Sequence, residues 1–241
     1  MPEKEADVLD KTVTFLAKRD GIDKVLKITR YVSKLLLATS YKDSKSETAV
    51  RLKDFESSIG VSRKAYRLGK FLADINSLRK SNAAPHLYWL EIIANGGEGC
   101  YYFLEQLTWL IKAGMLDKRY QHRVSKLSAW SEMLGYMGNI ILSSLFIRAS
   151  MAREQALQLD LDTRKKHDEE CLPEESVLRA QLLQLRSKRI MKSLALVQDL
   201  SDSTLALNDI TDGQGMLAHP VWLATAGLIS AAISVHKNWP G

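Results

Sequence analysis

Residues 59–80 read IGVSRKAYRLGKFLADINSLRK, with an apolar residue at every third or fourth position. On a helix of 3.6 residues per turn, Val61, Ala65, Leu68, Leu72 and Ile75 fall on one stripe, and Phe71 and Leu78 widen it. Arg63, Arg67, Lys70 and Asp74 lie opposite. The spacing predicts a single basic amphipathic helix, roughly 30 Å long at about 1.5 Å per residue. Such a helix has two destinations. Its apolar stripe can face the core of its own protein. Alternatively it can lie in a bilayer surface, with Val61, Leu68, Phe71, Leu72 and Ile75 at the acyl boundary and Arg63, Lys64, Arg67 and Lys70 on anionic headgroups. Periodicity alone leaves both open.

Upstream, a first helix is expected to begin near Ala6 or Asp7, which supplies an N-cap, and to run through Val8, Val13 and Leu16 to Arg19, where Asp20 and Gly21 break or bend it. A second amphipathic and basic stretch starts at Ile22, with Val25, Leu26, Val32, Leu35 and Leu36 on one face and Lys24, Lys27, Arg30 and Lys34 elsewhere. Ser40 to Ser46 is a polar connector. Downstream, Ser81 to Pro85 ends the central stretch, and His86 to Leu116 is rich in aromatic and aliphatic residues. Glu91, Glu98 and Glu105 recur there every seven residues, a carboxylate stripe that a bilayer core would penalise by several kcal/mol. That region is expected to form a helix pair buried against other helices or lying at the interface.

Two stretches are candidate membrane spans. Leu127 to Ile147 has one formal charge, Glu132, in 21 residues, and its length matches a hydrocarbon core of roughly 30 Å. Gly213 to Val235 has no Asp, Glu, Lys or Arg in 23 residues. Ser131 with Gly135, and Gly227 with Ala231, give a small-xxx-small spacing that lets another helix approach closely, in lipid or in a bundle. Between the two, Arg148 to Asp212 is the most polar part of the chain. It divides at Cys171, Leu172 and Pro173 and continues as a helix past Leu207 with a basic cluster at Arg186, Lys188, Arg189 and Lys192, read as a solvated face. The fold class is therefore all-α: a membrane-associated helical protein with amphipathic interfacial helices and one to two transmembrane helices.

Lys and Arg (34) exceed Asp and Glu (28), giving a formal charge of +6 that favours acidic partners such as phospholipid surfaces or nucleic acid. The basic residues are spread over several amphipathic helices with no aromatic RNA-binding motif or zinc spacing, so nucleic acid is not expected. Cys100 and Cys171 have no CxxC spacing and read as free thiols. The N-terminus lacks a secretory apolar run, and the C-terminus HKNWPG matches neither the SKL nor the KDEL type of signal. Asn95 to Cys100, NGGEGC, lacks the third glycine and the preceding strand of a dinucleotide fingerprint, and GxxxxGK, GxSxG and HExxH do not occur. His167, amid Asp168, Glu169 and Glu170, reads as a surface acidic run rather than a metal site. No enzyme, cofactor or metal is expected.

Three blocks, GIDKVLKITRYVSKLL, SRKAYRLGKFLADINSL and FLEQLTWLIKAGML, resemble in order and separation the signature blocks of the peroxin-11 family, peroxisomal membrane proteins that elongate and divide peroxisomes; the plant and algal branch is the most similar. The resemblance covers the first 116 residues well and continues more loosely to the end. It implies a multi-pass peroxisomal membrane protein with both termini cytosolic. Residues 1–126 would be a cytosol-facing amphipathic region carrying the membrane-bending helix 59–80. Spans at 127–147 and 213–235 would be joined by a connector over 148–212, and 236–241 would be a short tail. It also implies a homo-oligomer that binds anionic lipid, tubulates the membrane, and hands it to dynamin-related fission machinery and its tail-anchored adaptor. A pore for small metabolites and a soluble helical adaptor are the alternatives.

Overall fold

A computed structural model describes residues 7–41, 46–166, 172–215 and 217–240. His167 to Cys171, with the acidic run read there, and part of the Ser40 to Ser46 connector lie outside them. No strand occurs among the described residues. Their helices are α1 (Val8–Ala17), α2 (Arg19–Thr39), α3 (Glu47–Tyr66), α4 (Phe71–Arg79), α5 (Pro85–Lys112), α6 (Gln121–Lys166), α7 (Leu172–Ile210) and α8 (Pro220–Asn238), with a 3-10 turn at Lys118–Tyr120.

Local signals account for most boundaries. The Asp7 carboxylate accepts from Val8 N at 2.6 Å and Ser46 Oγ from Ala49 N at 3.2 Å, so each satisfies a backbone donor that the first turn leaves free. Pro85 and Pro220 sit in the first turns of α5 and α8, where a missing N–H costs nothing. The break after α1 falls at extended Lys18, just ahead of the expected Asp20–Gly21. The central stretch is not one rod. Gly69 has φ +72°, a conformation open to glycine and strained for most other residues, and it separates α3 from α4. The single 30 Å helix expected over 59–80 is thus corrected to two helices with a joint at Arg67–Lys70.

The larger helices close into a ring. α2 lies against α3 and α8, α8 against α7, α7 against α6, α6 against α5, and α5 against α3. Outside the ring, α1 packs on α2 and α4 on α5. The seam between α5 and α6 is unusually tight. A Cβ added at Gly97 would sit 2.5 Å from Gly135 N and 2.8 Å from Ser131 O, so the small-xxx-small pair Ser131/Gly135 brings two backbones of the bundle together. The glycines of NGGEGC are inside helix α5 rather than in a phosphate loop, and Gly97 among them serves the close packing on α6.

No helix among the described residues is long and apolar enough to cross a membrane. That corrects both candidate spans. Residues 127–147 are one part of the 46-residue α6 and are apolar on one side only. Trp130, Leu134, Met137, Ile141 and Leu145 face outward, whereas Ser128, Ala129, Gly135, Gly138 and Ser143 are buried. In 213–235 the helix begins only at Pro220, and Ala224, Gly227, Ser230, Ala231 and Ser234 are buried against the ring, with Gly227 directly under the Tyr31 ring. The expected helix pair over 86–116 is one continuous α5.

Candidate functional site

Residues 61–75 are arranged the opposite way from a helix that buries its apolar stripe in a core. Leu68, Leu72 and Ile75 are 53%, 58% and 55% exposed, whereas Arg63, from the polar face, is 5% exposed. Val61 and Phe71 are half-buried, the latter edge-on to Phe103 of α5 with ring centroids 5.7 Å apart. The joint at Gly69 helps make this possible. It lets α4 lie on the outside of α5 while α3 turns its cations into the ring.

Those cations end on carboxylates. Arg63 Nε donates to Asp23 Oδ1 at 3.0 Å, and Arg67 Nε and Lys24 Nζ stand 3.3 and 3.4 Å from the same carboxylate. Arg67 Nη1 also donates to Glu105 Oε2 at 2.9 Å and to the Tyr101 hydroxyl at 2.7 Å, and Lys64 pairs with Glu105 Oε1. Lys70 stands 4.6 Å over the Tyr102 ring and 3.8 Å from Asp20. Burial opposes ionisation of Asp23 and Glu105, but the neighbouring cations win. Arg67, Arg63 and Lys24 hold Asp23 far below the usual carboxylate range, and Arg67 and Lys64 bring Glu105 down to about 2. Arg63, Lys64, Arg67 and Lys70, expected on headgroups, each have a partner within the protein in this structure.

A second buried group lies across the ring. Lys27 Nζ donates to both Asp202 oxygens at 2.9 and 3.0 Å and to Ser230 Oγ at 2.6 Å, and that hydroxyl in turn donates to Asp202 Oδ2 at 2.6 Å. One Lys–Asp–Ser cluster so ties α2, α7 and α8 together. Between the two groups lies a polar cavity of about 360 Å3, walled by residues of α2, α3, α5, α6 and α7. On its α6 side, Tyr136 donates to Glu132 at 2.8 Å, and burial pushes the Glu132 carboxyl up to about 8. The charge read in sequence as the exception within a candidate span thus points inward.

The exterior carries many large apolar side chains by contrast. Val8, Leu9 and Val13 of α1, Trp89 and Phe103 of α5, and the outward row of α6 are all exposed. Between α4 and α5 this surface forms a groove of about 490 Å3 lined by Phe71, Ile75, Leu78, Phe103, Leu104 and Leu127. Among the described residues, half of the buried apolar side chains are alanines; Phe15, Ile59, Ile111, Leu161 and Leu182 are among the larger ones. Large apolar groups outside and ion pairs inside invert the usual partition of a chain folded in water.

Sequence reasoning missed Asp23, Glu105, Lys27 and Asp202 as parts of one interior. A signal existed for Glu105, whose heptad neighbour Glu98 also lines the cavity, while Glu91 further along the stripe does not. Tyr102 donates to Glu98 at 3.0 Å, and Ser81 to Glu91. In the basic cluster of α7, Arg186, Lys188 and Lys192 are exposed, as a solvated face requires, while Arg186 donates to Glu154 of α6 at 2.6 Å and the half-buried Arg189 pairs with the same carboxylate.

The model of the family described as Peroxisomal biogenesis factor 11 (PEX11) matches residues 9–239. Peroxisomal membrane protein 11A of Arabidopsis thaliana is 42% identical over 237 residues, covering 98% of this chain and 94% of that protein. Peroxisomal membrane protein 11-3 of Oryza sativa subsp. japonica is 43% identical over 233 residues, covering 97% and 89%. The similarity extends to peroxisomal membrane protein PMP30B of Candida boidinii, 25% identical over 249 residues, with 96% and 94% covered. No solved structure matches. A family model running almost end to end, joined by full-length plant relatives above 40% identity, leads to one statement: the chain belongs to the peroxisomal biogenesis factor 11 family of peroxisomal membrane proteins.

Proposed function

We propose that this chain elongates the peroxisomal membrane for fission by setting the apolar outer face around Leu68, Phe71, Leu72 and Ile75 into the cytosolic leaflet, with copies associating side by side. The observation that carries the reading is the inversion across 63–75, where Leu68, Leu72 and Ile75 are exposed while Arg63 is buried and Arg67 is drawn to Asp23 and Glu105. In water, exposing this row is unfavourable; in an acyl boundary it is the stable arrangement. Fully burying a Leu or Ile is worth about 1.5–3 kcal/mol. Half-exposed as they are, Leu68, Leu72 and Ile75 each have roughly 1 kcal/mol still to gain, before Phe103, Leu127 and Trp130 are added. The inward cations add nothing to this sum, and the exposed Arg79 and Lys80 at the end of α4 are better placed for anionic headgroups. Volume added to one leaflet expands it relative to the other and bends the bilayer toward the side of insertion. Delivery of the tubule to dynamin-related fission machinery and its tail-anchored adaptor follows from the family resemblance.

The test is tubulation of anionic vesicles by the full chain. Leu68→Glu with Leu72→Glu removes tubulation while leaving the helix content unchanged; tubulation at the wild-type level would remove the wedge. A second reading, passage of small metabolites through the ring, is favoured by the polar cavity. The Lys27–Asp202 pair, which joins α2 to α7 beside the cavity, opposes an open channel. Conductance across a planar bilayer doped with the full chain decides that reading.

A further inference from the structure

The wall of the cavity formed by α2, α3 and α5 holds more positive charge than its own carboxylates balance. Lys24, Arg63, Lys64 and Arg67 share only Asp23 and Glu105. Arg63 is nearly fully buried, lines the cavity, and has its Nη2 without a hydrogen-bond partner, although its Nε is bonded to Asp23. A buried guanidinium with a free edge is an unusual expense unless something meets it. Burial, and then the like charges of Lys70, Arg67 and Lys27, bring Lys24 down to about 8 despite Asp23 beside it. The opposite wall carries Glu132, Asp199, Asp202 and Asp209; Asp202 is taken up by Lys27, and burial raises Glu132 to about 8 and Asp199 to about 7 and also raises Asp209, so none of the four reaches Arg63 Nη2.

We propose that this cavity is a binding site for a small phosphate-bearing anion, seated against Lys24, Arg63 and Arg67, with Arg63 Nη2 as its free donor. Phosphate chemistry fits because guanidinium forks and a lysine together offer several charge-assisted donors to a compact dianion. At about 360 Å3 the space takes a pyrophosphate-sized group, and it equally takes the phosphate of a lipid headgroup. The site is independent of the leaflet-wedge reading, because its residues face the interior and the wedge lies on the exterior.

The experiment uses the full chain in nanodiscs of neutral phosphatidylcholine, titrated with sodium pyrophosphate at constant ionic strength. Saturable one-to-one heat and a rise in Tm of several degrees are expected, with affinity at least tenfold weaker in Lys24→Gln. Arg63→Gln is the more direct variant, and if it does not fold, Lys24→Gln carries the comparison alone. A parallel arm replaces a tenth of the lipid with phosphatidic acid. A Tm rise in that arm only, abolished by Lys24→Gln, supports the site and assigns its ligand to a headgroup. Absence of saturable binding in both arms, or equal binding by wild type and Lys24→Gln, overturns the proposal.

Discussion

Two neighbouring glycines of α5 should respond oppositely to the same substitution. Glycine in a helix interior is about 0.8–1.0 kcal/mol less favourable than alanine. At Gly96 an added Cβ meets nothing within 4 Å, so Gly96→Ala should gain most of that, raising Tm by about 2–4 °C for a chain of this size. At Gly97 the same carbon falls 2.5 Å from Gly135 N, 2.8 Å from Ser131 O and 2.9 Å from Gly135 Cα. All three are backbone atoms, which no side-chain rotation can clear, so α5 and α6 must move apart. Overpacking costs typically about 1–3 kcal/mol, and a clash with backbone belongs at the upper end. Setting the propensity gain against it leaves a net loss of about 2 kcal/mol, or roughly 4–8 °C. The assay is far-UV circular dichroism melting of both variants in the same detergent. Equal stabilisation by the two substitutions would refute the α5–α6 seam.

The buried ion pairs give further expectations. Asp23→Asn leaves Arg63 without its counter-charge in the interior, and loss of one partner of a buried pair costs about 3–5 kcal/mol; melting should fall by on the order of 10 °C, and an unchanged Tm would mean that Asp23 does not hold α3 to α2. Glu132 gives a pH dependence of known sign. Its folded-state pKa, about 8, lies above the ordinary 4.5, so the folded state holds the proton more tightly. Its contribution is full at low pH and is lost as pH rises from about 4.5 to about 8, at about 1.4 kcal/mol per unit crossed. Glu132→Gln should therefore stabilise the protein more at pH 8 than at pH 5, and melts showing the same increment at both would contradict this.

The all-helical fold was legible from the sequence, and so was the importance of residues 59–80, because 3.6-residue periodicity survives whichever way a helix faces. Its direction was not legible. A stripe of Leu68, Leu72 and Ile75 opposite Arg63 and Arg67 has the same spacing with leucines in or out. Only the positions of Asp23 and Glu105, contributed by distant segments, show that the arginines turn inward. The break at Gly69 was also hidden, since a lone glycine inside a helical pattern is usually tolerated. The candidate spans misled for a related reason. Low charge over 127–147 arises because Ser128, Ala129, Gly135 and Gly138 pack against neighbours, and small neutral residues in a tight seam read in one dimension like the contents of a bilayer.

Spin labelling along α4 tests most directly whether the apolar exterior meets lipid. With Cys100 and Cys171 changed to serine, nitroxides at Leu72→Cys and Lys80→Cys are read on vesicle-bound chain by collision with oxygen, which concentrates in acyl chains, and with a water-soluble nickel chelate. The account predicts oxygen-dominated collisions at 72 and nickel-dominated collisions at 80. Equal nickel access at both positions would place the leucine row in water and contradict it.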